Sequence, residues 1–273
     1  MLTISPDCAK LLALKNTKGQ YVRATLFKDG LEFKFEVNGE RWLQGATIEG
    51  ELFLKNHRPE VFETKKLNVR LCWGDFKKVK TRDAKAFTPL SSTELSTSEI
   101  LNSGEEKSWK WSIKLEDNCP ISEKNGSLYL LFGDEVQQLG GDLQLNIDPK
   151  EVYKEIIKLM ENFLRFKMKD ISSKKGLVTA KFAPPLSKDF SSVDSLLMSF
   201  ALEQQELKLH YEFKVKRVTL GATNTDLKMA KDVSQLEQKL DPKRYLIGKS
   251  LDQDFVLKQL QAAIDTVKLK SMF

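Results

Sequence analysis

Two histidines are the side chains of this 273-residue chain best suited to move a proton or hold a metal ion near neutral pH. His57 is followed by Arg58 and Pro59 in a polar stretch, whereas His210 alternates with apolar residues, on the strand face that should meet water. Neither has a neighbouring His, Cys or acid at the spacing of a metal site. We therefore expect two surface histidines, with no metal and no other cofactor.

Other catalytic signatures are missing from the sequence, which contains no G-x-S-x-G elbow, no P-loop and no G-x-G-x-x-G fingerprint. The acid pairs Glu105-Glu106 and Asp134-Glu135 should lie in solvated loops, whereas a glycosidase pair needs a defined separation across a cleft. Gly140-Gly141 should form a hairpin turn, because no helix follows it to cradle a phosphate. We predict a protein that is not an enzyme and has no catalytic residues; its binding residues stay unassigned.

Four tryptophans, Trp42, Trp73, Trp109 and Trp111, could stack on a sugar ring. Trp109 and Trp111 share one strand face with further apolar residues, and so large an apolar area is typical of a core. The lysine clusters at 65–66, 77–80 and 174–175 have no interleaved aromatic residues that could stack on bases. Core packing is favoured for the tryptophans, a carbohydrate-binding sandwich remains an alternative, and the lysines are weak evidence for nucleic acid.

Composition indicates a soluble globular protein, with 41% hydrophobic and 30% charged residues. The three cysteines, Cys8, Cys72 and Cys119, form no C-x-x-C pair, which favours reduced structural thiols in a cytosolic protein. The first residues carry no basic leader, and no apolar run approaches the roughly 18 residues that span a bilayer. We expect a cytoplasmic location.

The net charge of +6 is unevenly distributed along the chain. From Lys150 onward there are 23 Lys and Arg against 16 Asp and Glu, whereas residues 1–149 have 21 against 22. Such an imbalance can attract anionic partners, although solvated lysines on strand faces are a common cause. Contact of the basic second half with a membrane surface or a nucleic acid is therefore one hypothesis.

The sequence of the first half predicts strands. Trp42 to Asn56 contains Gly45 and Gly50, which suggest kinks or bulges, and Ile48, Leu52 and Leu54, which should be buried. Several further runs alternate apolar and polar residues between turn signals, the pattern of an antiparallel sandwich. The Ser- and Thr-rich run from Thr88 to Ser103 should be a surface loop. These patterns give a first domain at 1–148.

A helix start marks the second domain at 149–273. Asp148 can cap the helix, Pro149 suits its first turn and Glu151 completes a capping box, so we predict a connector helix ending near Asn162. Strands follow, above all a hairpin whose two arms turn between Glu203 and Glu206. Two C-terminal helices are predicted, one at Leu227–Leu240 and one after the capping box of Ser250–Gln253.

Several segments of the first half resemble the N-terminal domain of arrestins, nearest the bacterial sporulation-control group, over residues 20–149. They are G-A-T-I-E-G-E-L-F-L-K-N (Gly45 to Asn56), the basic strand region of Leu67 to Lys80, E-E-K-S-W-K-W-S-I-K-L (Glu105 to Leu115), N-C-P-I-S (Asn118 to Ser122), G-S-L-Y-L-L-F (Gly126 to Phe132) and L-Q-L-N-I-D-P (Leu143 to Pro149). The resemblance implies a mainly β protein of two arrestin-like antiparallel β-sandwich domains, with the connector helix between them and helices at the C-terminus.

The resemblance also implies a non-catalytic scaffold or adaptor that binds another protein. It names no partner and no binding edge, and a small-molecule substrate is not expected. The last helix has an apolar stripe of Val256, Leu260, Ile264 and Val267. We predict that this stripe packs within the chain; docking on a partner or on a second copy is the alternative.

Overall fold

The computed structural model describes residues 21–220 and 227–270, with the backbone alone for 217–220, 227–231 and 267–270. These residues form two compact units, one ending at Asp148 and the other beginning at Pro149. The first unit consists of β1 (Tyr21–Lys28), β2 (Leu31–Asn38), β3 (Trp42–Leu43), β4 (Thr47–Asn56), β5 (Phe62–Glu63), β6 (Leu67–Asp75), α1 (Phe76–Lys80), β7 (Phe87–Ser96), β8 (Ile100–Leu101), β9 (Glu106–Lys114), β10 (Gly126–Asp134), β11 (Leu139–Gln144) and β12 (Ile147–Asp148).

The first unit is a sandwich of two antiparallel four-stranded sheets. Their strand orders are β1-β2-β4-β9 and β11-β10-β6-β7, and two short strand pairs, β3 with β12 and β5 with β8, lie outside them. Alternation places every second side chain of the central strands β2, β4, β6 and β10 in a shared core. Phe35 joins the sheets, because its ring stacks on Trp111 at 5.0 Å and on Phe132 at 4.4 Å between centroids.

The predicted strand around Gly50 is confirmed, but Gly50 does not form a bulge. Ile48, Leu52 and Leu54 are fully buried, and the pairing of β4 with both neighbours runs without a register shift. A Cβ on Gly50 would lie 2.0 Å from the carbonyl oxygen of Glu36 and 2.5 Å from the Trp111 indole. Glycine is needed here because the indole lies over the backbone.

The second unit is built on one five-stranded antiparallel sheet, ordered β13-β14-β15-β16-β17. Its elements are α2 (Glu151–Asn162), β13 (Lys167–Lys174), β14 (Leu177–Ala183), a 3₁₀ turn (Lys188–Phe190), β15 (Val193–Glu203), β16 (Glu206–Leu220), β17 (Leu227–Leu240), α3 (Pro242–Tyr245), β18 (Leu246–Ile247), β19 (Ser250–Leu251) and α4 (Gln253–Lys270).

Two helices pack on one face of this sheet. The Tyr153 ring of α2 lies 5.3 Å from that of Phe200 in β15, and the Gln238 side chain of β17 donates to the carbonyl of Gln259 in α4 at 3.1 Å. Val256, Leu260 and Ile264 are buried, so the prediction that the last helix packs within the chain is confirmed. The side chain of Val267 lies outside the described ones. The described residues are mainly β, and all their strand pairs except β3 with β12 are antiparallel, as predicted.

Two predicted elements are wrong. The segment Thr88–Ser103 is not a loop, because it contains the edge strand β7 and the short strand β8. The segment Leu227–Leu240 is not a helix but β17, which pairs residue by residue with β16 from Leu207↔Leu240 to Leu220↔Leu227. In both cases strand pairing outweighs the local pattern, since propensity is only a weak determinant of structure.

The predicted helix caps are also wrong in detail. Asp148 belongs to β12, and its carboxylate binds the Arg41 guanidinium, with Nε at 3.1 Å. The helix therefore starts after Lys150, without a side-chain cap. In α4 the cap is Asp252, which accepts from the Phe255 amide at 3.0 Å, and not Ser250, which lies in β19.

Candidate functional site

A cleft of about 410 Å³ lies on the outward face of the β11-β10-β6-β7 sheet. We call it the outer cleft. It is lined by Asn68 and Arg70 of β6, Phe87 of β7, residues 131–134 of β10, Glu135 and Gln138 of the following turn, and residues 139–142 of β11.

Strand register explains why the cleft exists. One row across the three strands is Asn68, Gly133 and Gly140, so two of its three positions have no side chain. The next row is Arg70, Leu131 and Asp142, whose side chains should form its neighbouring wall. The depression is the space that two facing glycines leave open on an otherwise covered sheet.

Gly133 and Gly140 are fixed by their backbone contacts. Their φ angles are +129° and +151°, which side-chain-bearing residues rarely adopt. A Cβ on Gly133 would lie 2.1 Å from the Leu139 carbonyl oxygen, and one on Gly140 would lie 2.0 Å from that of Phe132. The predicted hairpin turn at Gly140-Gly141 is wrong: both residues lie inside β11, and the turn occupies 135–138.

Glu135 is the centre of a charged network at the rim of the cleft. Its carboxylate binds Lys66 Nζ at 2.9 Å and Arg70 Nη1 at 3.1 Å, and accepts from Asn68 Nδ2 at 2.8 Å. The hydrogen bond from Lys66, with the charges of Arg70 and Lys66, lowers the pKa of Glu135, and the same bond raises the pKa of Lys66. The network fixes the Arg70 guanidinium beside the cleft.

Asp134 holds the turn that carries Glu135. Its side chain is buried and accepts from the amides of Lys65 at 2.6 Å and of Gln137 at 2.9 Å. The sequence had suggested a solvated acid pair in a loop. That prediction is wrong, because Asp134 ends β10 and Glu135 is ion-paired.

Within the described part of the chain, Arg70 Nε and the Asp142 carboxylate have no hydrogen-bond partner. Arg70 Nε is buried and has no hydrogen-bond partner among the described residues. The residue Asp142 is exposed, yet the protein atoms around its carboxyl withhold part of its hydration and raise its pKa. Burial, helped by the Asp142 charge, also raises the pKa of Tyr129. A buried donor without an acceptor is rare in native proteins and is a site where an incoming acceptor can bind.

A second cleft, of about 510 Å³, lies over β2, β4 and β9 of the other sheet. Its charges form a cross-strand row of Arg23, Glu36, Glu51 and Lys110. Arg23 Nε lies 2.8 Å from Glu36, and the Ser108 hydroxyl donates to Glu51 at 2.7 Å. Glu36 Oε1 is therefore ion-paired, although it accepts no hydrogen bond of good geometry, and Trp111 Nε1, also in the lining of this cleft, is a buried donor without an acceptor among the described residues.

The two histidines belong to different units. His57 is exposed, with Nε2 at 2.8 Å from a Glu32 carboxylate oxygen. His210 is half-buried on β16, directly opposite Ser199 and Glu237. The Ser199 hydroxyl instead lies 3.1 Å from that of Thr179, and no hydrogen bond joins Ser199 to His210 within the described chain. This row therefore lacks the nucleophile–base contact of a catalytic triad.

The tryptophans belong to the core and its margins, as favoured by the sequence. Trp42 and Trp111 are buried, and Trp73 and Trp109 pack against the same core. Cys72 and Cys119 are also buried, in no disulfide with another described residue, and burial raises the pKa of the Cys72 thiol. Cys8 lies outside the described residues.

Neither a metal site nor a membrane-spanning helix is found in residues 21–220 and 227–270. No three His, Cys, Asp or Glu side chains come together there to bind an ion. None of the helices in that part of the chain combines the length and apolar character needed to cross a bilayer.

Sequence reasoning missed the outer cleft. Asn68 and Arg70 are visible in the sequence as the polar alternates of a strand, but their alignment with two glycines of other strands depends on register. Register is set by the pairing of distant segments and cannot be read from one strand alone.

The sandwich, the second sheet and their antiparallel order define an arrestin-like fold. Among solved structures, the chain is similar to the sporulation control protein Spo0M from Bacillus subtilis, with a TM-score of 0.61, 10% identity, and coverage of 88% of this chain and 99% of that one. This likeness extends over both units and supports the resemblance noted in the sequence. At this identity it establishes the fold alone.

A β-glucosidase from Listeria innocua is also matched, at 12% identity over 45% of this chain and 17% of its own. Its TM-score of 0.27 is too low to carry an argument. The sequence matches no protein-family model and no curated protein.

Proposed function

We propose that this protein is a non-catalytic cytoplasmic scaffold of bacterial type that binds another protein, and that the outer cleft receives an extended segment of that partner. The observation that carries the proposal is Arg70 Nε, a buried donor without an acceptor in the wall of an open cleft. A backbone carbonyl of the partner would supply the acceptor.

The position of Asp142 supports the same mode of binding. Asp142 lies on β11, which among the described residues is hydrogen-bonded only to β10 and has β1 of the other sheet close beside it. An extended segment lying in the cleft would therefore pass Asp142 on the outward face of the sheet and bring its own side chains to the cleft wall. The likeness to Spo0M, a protein named for sporulation control, supports a regulatory role for this chain.

Peptide display on the purified protein, followed by affinity measurement, tests the proposal. Selected peptides should bind Asp142→Lys about tenfold or more weakly, because charge reversal acts on a side chain that lines the cleft. Asp170→Lys, the same change at an exposed residue of the edge strand β13, is the matched control and should bind normally.

Equal weakening by both variants, or by neither, would assign the binding to another surface. Efficient turnover of a small molecule by the purified protein would refute the non-catalytic role.

A further inference from the structure

A second surface of the first unit carries several positively charged side chains. The segment 76–85 contains Lys77, Lys78, Lys80, Arg82 and Lys85 against one acid, Asp83. All five cations are exposed, and α1 buries none of its residues. None of them forms an ion pair with another described residue. With Lys124, which is also exposed and unpaired there, we call these side chains the basic cluster.

Backbone and side-chain hydrogen bonds hold the basic cluster in place. The Asp75 carboxylate accepts from the amides of Lys77 at 2.9 Å and Lys78 at 3.2 Å, and the Thr81 hydroxyl donates to the Lys77 and Lys78 carbonyls at 3.1 Å each. The Phe76 amide donates to the Asn125 carbonyl at 3.0 Å, which brings Lys124 to the same end of the sandwich. The charges are therefore concentrated before any partner arrives, which lowers the entropic cost of binding.

The form of the basic cluster indicates what it can bind. Neither of the two clefts contains a residue of 76–86, so the cluster lies outside both of them. Five of its six cations are lysines, which act as point charges and lack the two-pronged geometry with which arginine binds a single phosphate.

Aromatic residues near the cluster are already engaged. The Phe87 ring packs edge-on against Tyr129 at 5.2 Å, and Phe76 is half-buried, so no exposed aromatic face offers a platform for nucleic-acid bases. An exposed group of lysines that lies outside both clefts and has no stacking platform fits a broad surface of negative charge.

We propose that the basic cluster docks the protein on an anionic lipid bilayer. Lysines near such a surface are attracted by its negative potential, and the attraction is screened within about a Debye length. This inference concerns the first unit and is independent of the outer cleft, so either can fail without the other.

The test is sedimentation of the full chain with vesicles of phosphatidylcholine, with and without phosphatidylglycerol, over a range of salt concentrations. We expect binding only to the anionic vesicles, weakening as salt rises. The variant Lys77→Gln, Lys78→Gln, Lys80→Gln and Lys85→Gln should partition about six-hundredfold less, because each lysine close to the surface contributes about fivefold. Its circular dichroism should match that of the parent, since all four side chains are exposed.

The matched control removes four exposed lysines of the second unit, by Lys167→Gln, Lys169→Gln, Lys174→Gln and Lys175→Gln. It has the same net charge as the test variant and should bind vesicles like the parent. The proposal is overturned if the parent does not bind at low salt, if the control loses binding and the test variant keeps it, or if both lose it equally. It is also overturned if the parent protein binds duplex or single-stranded DNA but does not bind anionic vesicles.

Discussion

Gly133 and Gly140 determine the shape of the outer cleft through a pair of contacts that tolerate no side chain. Their facing positions open the depression, and their positive φ angles accommodate the backbone crossing between β10 and β11. In the sequence, a glycine indicates only that its backbone can adopt a conformation that other residues avoid. The structure shows that here the requirement is a close approach of two strands.

Gly140→Ala is therefore predicted to destabilise the first unit by about 2 kcal/mol or more, because its Cβ would lie 2.0 Å from a carbonyl oxygen. Gly104→Ala is the control: Gly104 also has a positive φ, of +76°, but a Cβ there meets nothing within 4 Å. Backbone strain alone should cost about 1 kcal/mol at that position. Urea denaturation measures both, and equal losses would show that contact with the strand is not the cause.

Glu135 and Asp142 should affect stability with opposite signs. Folding lowers the pKa of Glu135, so its stabilising effect is present above its unfolded pKa of about 4.3 and is lost as the pH falls. Folding raises the pKa of Asp142, so ionisation of Asp142 above its unfolded pKa of about 3.9 disfavours the folded state.

Glu135→Gln is accordingly expected to lower the free energy of unfolding at neutral pH, with the difference shrinking towards pH 3. Asp142→Asn is expected to raise it at neutral pH. Urea titrations at several pH values measure both changes, and shifts of the same sign would contradict the assigned environments.

At the scale of elements, the sequence predicts strands well where one face is buried and the other is solvated. The hairpin of β15 and β16 was found in this way, and its apolar face is buried as expected. The edge strand β7 was missed because residues 88–92 are exposed on both faces and show no alternation. The sequence of the edge strand β17 predicts a helix, because its residues favour helices. Its pairing with β16 is not visible in its own sequence.

The helix α4 should contribute to the stability of the second unit through its buried stripe. Leu260 is fully buried, so Leu260→Ala is predicted to cost about 2–5 kcal/mol. Lys258→Ala, on the exposed side of the same helix, should change stability by less than about 0.5 kcal/mol. Thermal unfolding followed by circular dichroism compares them. A Leu260→Ala protein of unchanged stability would show that the stripe does not belong to the core.

At the scale of the whole molecule, the fold could be inferred from a sequence that shares only 10% identity with its structural neighbour. The pattern of alternation and turns specifies a sandwich, and many residue choices satisfy that pattern. The same tolerance explains why function does not follow from the fold, since binding groups can change while the pattern is kept.

The net charges of the two halves of the chain do not reveal the basic cluster. The second half has the net positive charge, and residues 1–149 are close to neutral, yet the basic cluster lies in the first unit. Whether a surface attracts an anion depends on the local density of its charges and on whether those charges are ion-paired. It does not depend on the net charge of half of the chain.

The placement of the tryptophans gives the molecule a built-in optical probe. All four indoles belong to the first unit, so selective tryptophan excitation observes that unit, whereas circular dichroism observes both. For Leu260→Ala, the dichroism should change at lower temperature while the tryptophan emission shifts at its usual temperature. Simultaneous earlier changes in both signals would instead show that the two units melt together. Circular dichroism and tryptophan emission, followed during the same thermal unfolding, can thus report how the two units of an arrestin-like chain share their stability.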